Sequence, residues 1–150
     1  MMDIQEAIKQ KKPFRSERQK AMVNLIFTYN HIMDCIRKEL EPFEITVQQY
    51  NVLRILKGAG KPMSTSCIRE RLVDRMSDTS RMVERLCKKG LLSKEVCCND
   101  KRRVDIELSS EGLVLLNEMD NCSHKFEAIL AELSLEEAAQ LNQILDKIRG

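Results

Sequence analysis

A chain of 150 residues, 43% hydrophobic and 32% charged with a net charge of +2, fits one ordinary globular domain whose core needs neither metal nor disulfide. No apolar run reaches the ~18 residues of a membrane span, and residues 1–20 lack the apolar stretch of a signal peptide. The expected location is therefore the cytoplasm, where the six cysteines stay reduced.

The first long element, expected as a helix over 14–40, repeats Met22, Leu25, Ile26, Tyr29, Ile32, Met33, Ile36 and Leu40 at helical spacing, and Pro42 ends it. At ~40 Å such a helix is too long for one lobe to cover, so part of its stripe should meet other helices, some from a second copy of the chain. Thr46 and Gln49 form a capping-box pair. They open a helix to about Lys57 with Val47, Tyr50, Leu53, Ile55 and Leu56 inward. Residues 58–62 stop it. Ser64 then caps a short helix through Leu72, with Ile68 and Leu72 inward, and a third helix over 77–89 closes at Gly90.

The rhythm then changes. Residues 91–96 read as a strand, and Val104, Ile106 and Leu108 alternate with Asp105, Glu107 and Ser109, a strand with one wet face. The polar segment 97–103 makes the hairpin loop between them. After Ser109 one long helix is expected, striped by Leu113, Leu116, Met119, Phe126, Ile129, Leu130 and Leu133. A second capping box, Ser134 with Glu137, opens a last helix that turns Ala138, Leu141, Ile144, Leu145 and Ile148 inward. The fold class is mainly α with a small β-hairpin, in the order α-α-α-α-β-β-α-α.

Charge is segregated along this order. Residues 69–103 carry eleven Lys and Arg against six Asp and Glu, whereas 111–150 carry three against eight. A basic middle beside an acidic C-terminal arm suits one surface for a polyanion and another for a different partner. The two short helices, 64–72 and 77–89, have the length and spacing of a helix–turn–helix. On the second, Met76, Thr79, Met82, Val83 and Leu86 gather on one side. Ser77, Arg81, Glu84, Arg85 and Lys88 gather opposite, with Ser80 on the flank. An anchored helix with hydroxyls and cations outward suits the DNA major groove, although a solvated surface helix could carry the same face. The hairpin favours DNA. Its tip, Lys101-Arg102-Arg103, can enter a minor groove, whose potential attracts guanidinium, and Asp100 is placed to hold Arg102. Lys89 is expected on a phosphate.

The run from Arg81 to Leu92 (RMVERLCKKGLL) resembles the recognition-helix signature of the MarR family of bacterial transcription regulators. The run from Asp100 to Gly112 (DKRRVDIELSSEG) resembles that family's wing, its second wing strand and the start of the next helix. The Asp-x-Arg wing motif falls on Asp100 and Arg102. The Leu-Thr-x-x-Gly element falls on 108–112, with Ser109 replacing Thr. The resemblance implies a single winged helix–turn–helix domain over 1–150, with a DNA-binding lobe at 46–109 and dimerisation helices at 14–40 and 110–149. It further implies a homodimer on a pseudo-palindromic double-stranded operator, often a repressor released by a small, commonly aromatic, acid.

Enzymatic chemistry has little to work with. His31 and His124 are the only histidines, and no phosphate loop, HExxH or nucleophile elbow is present, so neither an enzyme nor a bound cofactor is expected. Two other regulators could use the same scaffold. A metal sensor would draw on His31, Cys35, Glu39 and His124, but no CxxC pair supports it, and no metal site is assigned. A thiol sensor would draw on Cys35 or on Cys97 and Cys98 beside the wing cations, which lower a thiol pKa.

Overall fold

The computed structural model describes residues 3–74, 78–96, 104–120 and 123–150. The order is α1 (Ile4–Ala7), α2 (Glu17–Leu40), a 3-10 turn (Glu41–Phe43), α3 (Val47–Ala59), β1 (Met63–Ser64), α4 (Thr65–Arg71), α5 (Thr79–Lys88), β2 (Leu92–Val96), β3 (Val104–Leu108), α6 (Ser110–Asp120), α7 (Ser123–Ala128) and α8 (Leu135–Arg149). Among the described residues no helix is long and apolar enough to cross a membrane.

Local signals set most boundaries. Both expected capping boxes form: Thr46 with Gln49 at α3, and Ser134 with Glu137 at α8. Ser64 caps α4. At the end of α5, Gly90 takes φ 73°. Its N–H donates to Cys87 O, and the Leu91 N–H donates to Leu86 O, the paired bonds of a Schellman stop that an L-residue would strain.

The hairpin gains a third strand. β1, too short to announce itself by alternation, pairs antiparallel with β3, giving the sheet order β1-β3-β2 with Met63 opposite Ile106 and Lys94 opposite Ile106. Ile106 is fully buried, whereas Val104 at the strand's start is exposed. The sheet, α3, α4, α5 and α6 enclose one core built on Val52, Leu53, Leu56, Ile68, Val83, Leu86, Ile106, Leu116 and Met119. Burying each such side chain contributes about 1.5–3 kcal/mol. Tyr50 and Ile55, expected inward on α3, are only half-buried, and the fully buried Val52 takes the central position.

Three expectations are corrected. The first helix begins at Glu17 rather than residue 14, because the Ser16 hydroxyl accepts from the Gln19 N–H and fixes the start. Before it lies an unexpected turn, α1, whose Ile4 is buried and whose Asp3 pairs with Lys20 at 2.9 Å. In place of the expected single long helix after Ser109 stand two shorter ones, α6 to Asp120 and α7 to Ala128. Beyond it, the N–H groups of Ile129, Leu130, Ala131 and Leu133 bond three residues back, so the chain leaves the helix to let Ser134 cap α8 from an extended backbone. The inward stripe of α8 is also not buried within one chain: no α8 residue is buried, and Ile144 and Ile148 are 57% and 63% exposed.

Charged contacts join the lobe to the C-terminal helices. Asp120 on α6 receives Arg54 Nη1 at 2.6 Å and Lys57 Nζ at 2.5 Å, both from α3, and Lys57 also donates to Asn117 at 2.9 Å. The Tyr50 and Phe126 rings meet nearby at 5.7 Å. The Lys57 hydrogen bond, helped by the charges of Lys57 and Arg54, holds the Asp120 carboxyl below the ordinary range. A depressed carboxyl pKa stabilises the fold above its unfolded value of about 3.9 and loses that contribution as pH falls through the folded value. Asp120→Asn should therefore cost about 1 kcal/mol at pH 7, the group being partly solvated. In urea titrations the gap to wild type should narrow as pH falls below the unfolded value of about 3.9. A gap that persists unchanged there would assign the loss to packing instead.

Candidate nucleic-acid interface

Helix α5 is anchored on one side and open on the other. Thr79, Val83 and Leu86 are buried and Met82 is half-buried, so the apolar side is fixed against α3, α4 and the start of β2. Ser80, Arg81, Glu84, Arg85, Lys88 and Lys89 are exposed. The structure thus brings these six residues onto one helix and its C-terminal turn. Met76 and Ser77 lie outside the described residues, as do Cys97, Cys98, Asp100, Lys101, Arg102 and Arg103 at the hairpin tip. β2 and β3 nevertheless pair as far as Val96 opposite Val104, so the segment 97–103 joins two strands directly after the helix.

The α5 side chains are not equivalent. Asp78, which the sequence reading passed over, is the N-cap: its Oδ1 accepts the Arg81 N–H at 3.2 Å, and its Oδ2 meets Arg81 Nε at 3.2 Å. An Asp three residues before an Arg at a helix start was the available signal. At the other end Lys89 donates to the Glu44 carbonyl, in the αL turn that leads into α3 (φ 53°). An ammonium has three donors, so this bond positions Lys89 without consuming it. Among the described residues, Ser80, Glu84, Arg85 and Lys88 have no side-chain hydrogen bond or ion pair.

Ser109 couples this helix to α6. Its hydroxyl donates to Gly90 O at 2.7 Å and accepts the Gly112 N–H at 2.9 Å, while its own N–H donates to Leu91 O at 3.2 Å. The stop of α5 and the start of α6 thus share one hydroxyl, a role that Ser fills as well as Thr.

The residues raised for metal or thiol chemistry are more scattered. His31 Nε2 lies 3.8 Å from Cys35 Sγ on α2, and Glu39 is engaged by Lys125 at 2.8 Å. Among the described residues no three His, Cys, Asp or Glu side chains converge. Cys87, half-buried on α5, has its thiol pushed up chiefly by burial, which opposes the thiolate that sensing requires.

Against known proteins, residues 45–104 match the MarR family model. The chain is 28% identical over 137 residues to the HTH-type transcriptional regulator FarR of Neisseria gonorrhoeae, covering 91% of this chain and 93% of that one. It is 28% identical to the crystal structure of a MarR transcription factor from Planctomyces limnophilus, with a TM-score of 0.68 over 89% of this chain and 98% of that one. The fold also matches mutant MarR C80S from E. coli complexed with operator DNA, with a TM-score of 0.80 at 21% identity over 91% and 99% of the two chains. Residues 45–104 thus carry a MarR-family match, and the relatives that the chain resembles over most of its length are transcription regulators.

Proposed function

We propose that the protein is a cytoplasmic homodimeric repressor that binds a pseudo-palindromic operator and is released by a small-molecule effector. The anchored, basic outer face of α5 carries this reading. Ser77, Ser80, Arg81, Glu84, Arg85, Lys88 and Lys89 are assigned to the major groove and its phosphates, with Arg81 as a base reader and Lys89 on a phosphate. Asp100, Lys101, Arg102 and Arg103 are assigned to a wing in the flanking minor groove, Asp100 holding Arg102. The dimer is assigned to 14–40 and 110–149, on the support of their exposed apolar residues.

For the effector, a cleft of about 490 Å³ opens where the end of α2 meets the start of α3, lined by Arg37, Lys38 and Glu41 beside Ile45 and Val47. Cations over an apolar floor suit a small aromatic acid.

Selection of bound genomic fragments supplies the operator, and titration at several salt concentrations tests the reading. Binding should weaken steeply as salt rises. Arg102→Ala should lose about 1–3 kcal/mol of operator affinity with folding unchanged, and Asp100→Ala should lose less. Wild-type affinity in Arg102→Ala would remove the wing from the interface.

A further inference from the structure

We propose that Asp78 is a positioning residue that sets operator specificity by holding the Arg81 guanidinium in place before DNA arrives. The inference rests on the reading of Arg81 as a base reader and adds the group that makes it one.

The geometry gives Asp78 two tasks at once. One carboxylate oxygen caps α5 through the Arg81 N–H, and the other meets Nε of the same residue, each at 3.2 Å. The cap already immobilises the carboxylate, so holding the side chain costs little further Asp78 entropy. Arg81 is long and 77% exposed, and without a partner it would sample many rotamers. The contact is made at Nε. The four N–H groups of the two terminal nitrogens, the fork that reads O6 and N7 of guanine, are not consumed by it.

An exposed pair of this kind adds little to stability, which points to orientation as its use. Inside a groove, where water is displaced, the same contact strengthens, and a pre-oriented arginine loses less freedom on binding. The charge of Asp78 has a second effect. A carboxylate on the DNA-facing helix is repelled by phosphates at every sequence. Only a site that repays Arg81 with a base contact offsets that repulsion, so specificity gains from an unfavourable interaction as well as a favourable one.

The test separates capping from positioning. Ser and Asn both cap helices about as well as Asp but lack its charge, so Asp78→Ser and Asp78→Asn should fold as the wild type does. Full-length wild type, both Asp78 variants, Arg81→Ala and Asp78→Ser/Arg81→Ala are titrated against labelled operator and scrambled duplexes. For the Asp78 variants, scrambled DNA should bind more tightly, and the operator-over-scrambled ratio should fall on the order of tenfold. In the Arg81→Ala background Asp78→Ser should cause no further loss of ratio, since the residue to be oriented is gone. If Arg81→Ala loses the ratio while both Asp78 variants keep it, Asp78 is a cap and the proposal fails alone. If Arg81→Ala itself keeps the ratio, the base-reading role fails and the proposal with it.

Discussion

Gly112→Ala should be among the most damaging single substitutions in the chain, costing about 3 kcal/mol or more although Ala is the better helix former by about 1 kcal/mol. A Cβ built at Gly112 would lie 2.2 Å from Leu91 O and 3.1 Å from both Leu91 C and Leu108 Cδ1. The nearest atom is backbone, so no rotamer change relieves the clash. Leu91 O also accepts the Ser109 N–H, and Leu91 directly follows the Gly90 stop of α5. Moving that carbonyl therefore breaks the Ser109 bond and shifts the end of α5. Gly58→Ala is the matched control. Gly58 lies inside α3 without a positive φ, and nothing would touch the new methyl group within 4 Å, so this variant should gain up to about 1 kcal/mol. Urea titration of both variants checks the opposite signs. Equal midpoints would mean that α6 can move off Leu91 at no cost.

Gly112 also marks where reading the sequence stops. The family-like element at 108–112 was visible as a pattern, but its mechanical reason was not. Close approach of a helix to a distant carbonyl is a tertiary fact with no local periodicity. Features governed by neighbours within four residues were legible: both capping boxes, the Ser64 cap, the Gly90 stop and the outward set of α5. Where sequence signals were too short to repeat, as at α1 and β1, nothing could register. The overlong helix after Ser109 failed for a related reason. Ile129, Leu130 and Leu133 continue a helical stripe, yet the capping geometry of Ser134 requires the chain to leave the helix first. At the interface, the exposed cations of α5 were named from their spacing. Asp78 was not legible there, because an acid three residues before an arginine is common on mixed-charge helices and only the side-chain geometry shows both its oxygens engaged.

Removing α8, from Ser134 onward, should abolish tight operator binding while leaving every proposed DNA contact in place. Within one chain α8 contributes no buried residue, so the core of Leu53, Ile68, Leu86, Ile106 and Leu116 should survive its loss. Intact, the chain exposes Ile144 and Ile148 on α8 and Met22, Ile26 and Tyr29 on α2, each more than half accessible. A monomer would leave much of this apolar surface wet, which soluble proteins rarely tolerate. The proposed two-fold dimer would cover it and would set two α5 helices about 34 Å apart, one turn of DNA. Because the second half-site then binds at high effective concentration, losing the dimer should weaken operator binding by about 10²–10⁴-fold. A single half-site should bind as weakly as before. If the truncated chain aggregates, Ile144→Asp with Ile148→Asp makes the same cut with the helix retained, since a carboxylate pair has no place in an apolar seam. Sedimentation and titration against full and half operators decide it. A monomer that holds the full palindrome at wild-type affinity would overturn the dimeric account, and so would a variant that stays dimeric without this seam.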